Sequence, residues 1–158
     1  MEYTYTWIKK NGIMFDEDYP YTGKKSTCKS DKSKFVDIVI TGYFKLGKSS
    51  NTYSCVDEDE IKEFLYEMGP LAAALNANPL QTYISGVLDI TSANCPLEEI
   101  NHAVLIVGYG TDSSLGLDYW IVKNSWGKNW GESGYFRIRR GKSTCGINCY
   151  VITGKVSF

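Results

Sequence analysis

Residues Asn101 to Gly110 read NHAVLIVGYG, and Tyr119 to Gly134 read YWIVKNSWGKNWGESG. His102 is the only histidine in the 158 residues. It stands at the entrance of an apolar run that reads as a buried strand and ends in glycine turns at Gly108 and Gly110. Tyr119 to Lys123 mixes aromatic and β-branched residues and reads as a second strand. Asn124-Ser125-Trp126-Gly127 then signals a turn.

A histidine at one strand end and an asparagine at another can meet across a sheet. The asparagine carbonyl then accepts the proton of one ring nitrogen. The other nitrogen stays free to take a proton from a nucleophile. Trp126 follows Asn124 closely enough to cover that hydrogen bond and keep water from competing with it. The plainer reading makes His102 a satisfied strand histidine and Asn124 a turn residue.

The wider wording weighs against the plainer reading. NHAVLIVGYG followed by YWIVKNSWGKNWGESGYFRIRRG closely resembles the papain-like cysteine proteases, the cathepsin family. The resemblance covers essentially the whole chain. Met1 to Ile8 is similar to the helix that follows the family's Asn-Gly-Gly turn, and Asp18 to Tyr21 to its YPY segment. Gly69 to Ala74 is similar to its GPxxxA strand, Tyr83 to Gly86 to its YxxG loop, and Cys145 to Ile147 to its late CGI. Leu75 to Asn78 is closest in wording to the cathepsin F branch.

The resemblance implies an α+β chain of papain-like fold, an antiparallel β-barrel domain plus a remnant of a helical domain. Residues 1–41 would be the remnant and crossover, and 42–158 the barrel domain. His102 would be the catalytic base and Asn124 its orienting partner. Trp126 would shield them and form the primed-side wall with Trp130. Met1, Ala74, Ile100, Ala103 and Tyr150 would line the pocket for the apolar residue two before the scissile bond. Tyr150 implies a hydrophobic, shortened pocket. For Ala74 and Ile100 a plain core role reads equally well.

One departure controls the functional reading. The family's nucleophilic cysteine sits in a CGSCW-like segment upstream of the histidine and asparagine. The 158 residues contain no such segment, and no oxyanion-hole glutamine ahead of it. The chain is therefore expected to lack the N-terminal portion of a mature enzyme. That missing segment becomes an expected partner. So do peptide or protein substrates with a hydrophobic residue two before the scissile bond, and cystatin-like inhibitors. The full-length enzyme is expected in the lysosome or outside the cell. No signal peptide is visible, because Met1 opens an amphipathic helix.

Two function classes follow. One is a cysteine endopeptidase of Cys-His-Asn thioester mechanism, seen without its nucleophile. The other is a non-enzymatic, protease-derived binding or regulatory module. Such a module is free to lose His102, Asn124, Trp126 and Trp130, yet all four are present, which favours the first.

The resemblance also implies a Cys95–Cys145 disulfide. It pairs Cys28 with a cysteine upstream, which leaves Cys28 free in this chain. Cys55 and Cys149 lie outside the common pattern, and a bridge between them is an open alternative. A zinc site competes for the five cysteines, but Cys145 and Cys149 are loosely spaced and no second cluster accompanies them. Neither metal nor cofactor is expected.

Composition sets the outer bounds. Hydrophobic residues make up 43% and charged residues 22%, ordinary for a globular chain of this length. A net charge of −1 and a pI near 5.8 argue against nucleic acid, which needs a basic face. Five lysines between Lys24 and Lys34 are interrupted by serines and Asp31 and read as a solvated loop. No apolar run approaches the ~18 residues of a membrane span. No internal repeat or low-complexity tract is evident.

Met1, Tyr5 and Ile8 share a helical face that should stop at Gly12. Phe15 to Lys34 reads as loop, Phe35 to Ile40 and Tyr43 to Leu46 as strands, and Gly47 to Ser54 as polar loop. Asp57 and Glu60 form a capping box for a helix whose face is Ile61, Phe64, Leu65 and Met68. Gly69-Pro70 ends it. Leu71 to Leu75 is a short strand, and Asn76 to Glu99 is mostly loop. Strands follow at Ala103 to Val107, Tyr119 to Lys123, Gly134 to Arg139 and Tyr150 to Thr153.

This reading leaves the apolar face of the first helix without the upstream helices it would bury against. Large exposed apolar patches promote association. The chain should therefore self-associate, with an ordered barrel from Gly42 on and a frayed N-terminus. Hydrogen exchange checks this: in dilute monomer, Met1–Lys10 should be protected far less than Val104–Val107. Equal protection would refute it.

Overall fold

The computed structural model describes residues 1–46 and 55–157. Among these residues two helices and seven strands follow one another: α1 Glu2–Asn11, β1 Val39–Leu46, α2 Glu58–Met68, β2 Leu71–Leu75, β3 Val87–Leu88, β4 His102–Asp112, β5 Leu117–Lys123, β6 Tyr135–Arg139 and β7 Val151–Ser157. Short 3-10 turns lie at Lys32–Lys34, Asn78–Thr82, Leu97–Glu99 and Thr144–Gly146. The expected polar loop Gly47 to Ser54 lies outside the described residues.

The α+β class is as expected, but the sheet is not a closed barrel. Its strands run β1-β7-β2-β4-β5-β6-β3 and leave β1 and β3 at the edges. The sheet is also mixed, because β3 pairs parallel to β6 through Val87↔Arg137 and Leu88↔Ile138. A two-residue strand offers too few backbone groups to carry closure.

Two compact units divide the chain: Met1–Phe44 with Gly154–Phe158, and Lys45–Thr153. In the smaller unit α1 buries no residue. Gly12 ends it at φ 79°, a left-handed conformation that glycine adopts freely. A Cβ there would also stand 2.3 Å from the Phe35 ring. Tyr5 packs 6.3 Å from Tyr43, and Gly154 lies close beneath it. The expected strand Phe35 to Ile40 is not formed as such. Phe35 makes an isolated bridge to Met14, and β1 runs unbroken from Val39 through Gly42. Gly42 is extended, so it does not interrupt the strand.

The larger unit holds the core. Alternate residues of β2 and β4 point inward, so Leu71, Ala73, Leu75, Val104 and Ile106 are buried with Ile61 and Leu65 of α2. Trp120, Val122, Phe136 and Ile138 of β5 and β6 close the core from the other side of β4. The cap of α2 differs from the expected box: the Asp57 carboxylate accepts from the Asp59 N–H at 2.9 Å. β4 also does not end at its glycines. It continues to Asp112 with a register shift between Ile106 and Gly108. A Cβ on Gly110 would lie 2.6 Å from the Tyr119 hydroxyl, so glycine here admits a cross-strand ring instead of making a turn. Among the described residues no helix is long and apolar enough to cross a membrane.

One buried acid escaped the sequence reading. Glu58 is 6% exposed. Its carboxylate accepts from Trp120 Nε1 at 2.6 Å and from the Ser143 N–H at 2.8 Å. Glu58→Ala should strand both donors, at about 1–3 kcal/mol each. Urea unfolding followed by tryptophan fluorescence should show that loss and a smaller one for Glu58→Gln, which keeps an acceptor. Equal midpoints for wild type and Glu58→Ala would contradict it.

Candidate active site

His102 opens β4 and Asn124 follows the last residue of β5. The two strands are antiparallel, with Leu105 opposite Lys123, so the start of one lies beside the end of the other. His102 Nε2 and Asn124 Oδ1 are 2.8 Å apart. Asn124 Oδ1 also accepts from the Ser125 N–H at 2.8 Å, which identifies that atom as the oxygen. An amide oxygen only accepts. Nε2 therefore carries the ring proton and Nδ1 presents its lone pair. Such a ring can take a proton at Nδ1 while the imidazolium is held through Nε2–H.

Asn124 is 8% exposed and its backbone N–H donates to Gly134 O at 2.9 Å. Asn124 Nδ2 is buried with no hydrogen-bond partner among the described residues. Turning the amide over would aim that donor at the Ser125 N–H, so the carbonyl stays toward the histidine. The Trp126 ring lies 5.1 Å from the imidazole and tilts over it by 31°. Trp130 meets Trp126 edge-on at 5.1 Å.

Of the expected pocket residues, the sheet brings three together. Ala74 pairs directly with Ala103, and the Ala74 N–H donates to Tyr150 O at 3.0 Å. Ile100 precedes β4 and its Cδ1 faces Gly146. Met1 belongs to the smaller unit. The sequence reading missed Lys45, whose ammonium lies 4.8 Å from the centre of the Tyr150 ring.

It also missed the polar scaffold around the histidine. Asn101 Oδ1 accepts from the Ala77 N–H at 3.0 Å, and its Nδ2 donates to Asn78 Oδ1 at 3.1 Å. Glu99 in turn accepts from Asn78 at 3.1 Å. The cluster of asparagines around Leu75 was a visible signal, but their pairing depends on β2–β4 register. On the other flank the Arg137 guanidinium beside Glu132 holds its carboxyl below the usual carboxylate range.

Cys95–Cys145 and Cys55–Cys149 are disulfides, and Cys28 is free and exposed in the smaller unit. The first ties the loop before His102 to the 3-10 turn ahead of β7. The larger unit thus holds a histidine and its amide partner but no free thiol. Among the described residues no group of three or more histidine, cysteine or carboxylate side chains is arranged to hold a metal.

The family model of papain family cysteine proteases matches residues 1–155. A viral cathepsin of Adoxophyes honmai nucleopolyhedrovirus is 42% identical over 141 residues, which are 89% of this chain and 38% of that protein. Cysteine proteinase 15A of Pisum sativum is 40% identical over 155 residues, covering 92% of this chain and 39% of that protein. A digestive procathepsin L 3 of Tenebrio molitor larval midgut superposes with a TM-score of 0.84 at 36% identity, over 98% of this chain and 47% of that one. The chain therefore spans about two fifths of the length of these curated relatives. These matches carry the family and not the cathepsin F branch to which Leu75 to Asn78 points. With the family model running through α1 to β7, and a solved procathepsin sharing the fold, this chain belongs to the papain family of cysteine proteases.

Proposed function

We propose that this chain supplies the base and its orienting amide to a papain-type cysteine endopeptidase. His102 is the base, Asn124 orients it, and Trp126 and Trp130 shelter the pair and form the primed-side wall. The observation that carries the reading is the 2.8 Å contact of His102 Nε2 with Asn124 Oδ1 beneath the Trp126 indole. The nucleophilic thiolate comes from a CGSCW-like segment outside these 158 residues. Residues 1–41 are the part of the helical domain present here, and 42–158 form the domain that carries the base.

The chemistry follows from the free Nδ1. The imidazole takes the thiol proton and the imidazolium stabilises the thiolate. The thiolate attacks the peptide carbonyl, and the C–N bond breaks as the imidazolium protonates the leaving amine. Water, deprotonated by the same nitrogen, hydrolyses the thioester and restores the thiol. Substrates are peptides or proteins with a hydrophobic residue two before the scissile bond, held on the larger unit by Ala74, Ile100, Ala103 and Tyr150. Cystatin-like proteins would inhibit. Two disulfides fit a lysosomal or extracellular enzyme, because such compartments permit them.

A single histidine makes the pair directly observable. Above the imidazole pKa, long-range 15N NMR should show the Nε2–H tautomer of His102, and Asn124→Ala should move the population toward Nδ1–H. An unchanged tautomer ratio would remove Asn124 from the reading.

Activity provides the second test. The chain alone should form no adduct with an epoxide peptide inhibitor of papain-like enzymes, read by intact mass. Refolded with a polypeptide carrying the CGSCW-like segment, it should form a thioether adduct and cleave peptides, and His102→Ala should abolish both. Cleavage that survives His102→Ala would overturn the proposal.

A further inference from the structure

The turn that carries Trp126 and Trp130 is built on positive φ and holds one strained residue, Ser133. Gly127, Gly131, Ser133 and Gly134 all have positive φ, at 88°, 55°, 58° and 92°. A Cβ on Gly131 would lie 2.7 Å from Tyr135 O. Serine at such a φ costs energy and persists only where its surroundings over-determine it. Inside the turn, the Trp130 N–H donates to Gly127 O at 3.2 Å and the Gly134 N–H donates to Trp130 O at 2.8 Å. Gly134 O then accepts from the Asn124 N–H at 2.9 Å. The Gly134 backbone thus links the Trp130 backbone to the residue that orients His102.

Glu132 ties this turn to the rest of the larger unit. Its Oε1 accepts from the Gly86 N–H at 2.8 Å and from Arg137 Nη2 at 2.8 Å, and its Oε2 accepts from Arg137 Nε at 3.0 Å. Two-point pairing of this kind is directional as well as charge-assisted. Tyr83 spans the same junction. Its hydroxyl donates to Gly86 O at 2.7 Å and accepts from the Arg137 N–H at 3.2 Å. Its ring lies 5.6 Å from Trp130.

Trp130 needs that support. Its Nε1 is buried and has no hydrogen-bond partner among the described residues. Packing alone sets the ring, against Tyr83, Phe136 at 5.9 Å and Trp126 at 5.1 Å. Trp126 in turn covers His102.

We propose that Glu132, clamped by Arg137 and the Gly86 N–H, is a positioning residue for His102, acting with Tyr83 through the Trp130–Trp126 pair and the Gly134–Asn124 hydrogen bond. The inference rests on the reading of His102 and Asn124 as a working pair. It adds that the tautomer of the base is set by a clamp that touches neither residue. Releasing the clamp lets the turn relax, tilts the indoles and loosens the Asn124 carbonyl from Nε2–H.

The test uses the 158-residue chain and its one histidine. In Glu132→Ala the Nε2–H to Nδ1–H ratio of neutral His102 should fall by about two- to ten-fold, the equivalent of one weakened hydrogen bond. Tyr83→Phe, which removes only a hydroxyl, should shift it in the same direction by less. Glu132→Gln keeps an acceptor for Gly86 and should recover part of the ratio. A merely structural role would lower stability and leave the tautomer unmoved. Should Glu132→Ala fail to fold, Glu132→Gln and Tyr83→Phe decide alone. Folded variants with the wild-type ratio overturn the proposal. Asn124→Ala separates the two layers. If it shifts the tautomer and the clamp variants do not, only the positioning role falls. If it does not shift the tautomer, the paired reading falls first.

Discussion

The antiparallel pairing of β4 with β5 is the constraint on which the site depends. Side chains alternate across a sheet, so a slip of one residue would send His102 to the opposite face from Asn124. The register is held on both sides. Trp120 and Val122 are buried on β5, and Val104 and Ile106 on β4, so a slip would also expose the core. The bulge between Ile106 and Gly108 leaves the Leu105–Lys123 pairing intact and bends the strand beyond it. Pairing with β2 then fixes the entry of β4, because Leu75 stands opposite His102.

Around this frame the molecule pairs several of its buried polar groups by reaching far along the chain. Glu58 bonds Trp120 and Ser143, and the Asn148 amide donates to Val56 O at 2.7 Å and to Ser143 Oγ at 3.0 Å. Removing any one partner strands a donor or acceptor away from water, which costs more than the hydrogen bond contributes. The same logic makes the His102–Asn124 bond selective. The asparagine carbonyl is aimed by Ser125 and the indole lies against the imidazole, so one tautomer is favoured. Preorganisation of this kind spares a reaction the cost of reorienting its own dipoles.

The two units differ in how they are held. The larger has a continuous apolar core and two disulfides. The smaller buries nothing along α1 and leaves Trp7, Ile13, Phe15 and Tyr21 exposed. It also contains an apolar cleft of about 270 Å³ bordered by Trp7, Met14, Phe35 and the free Cys28. Local stability follows buried apolar contact, so opening should begin there and reach the strands around His102 last.

The sequence by itself determined most of the elements and the identity of the pair. Helix stops at Gly12 and Gly69, the apolar face of α2 and the runs that became β2, β5 and β6 were legible because they depend on local dihedral preference and period. His102 and Asn124 were legible through the wording around them and its likeness to a family. Tertiary structure alone decided what depends on register and on distant chain. Gly108 and Gly110 read as turns, yet the strand runs through them because the Tyr119 ring needs the space across from Gly110. Glu58 carries no local signal of burial, yet it is buried because Trp120 presents an indole N–H to it from another strand. The open sheet and the Glu132–Arg137 clamp were hidden for the same reason, and it left the Cys55–Cys149 bridge no more than an open alternative. Local sequence constrains a residue's own backbone, whereas these contacts exist only once strands far apart in the chain have chosen their neighbours.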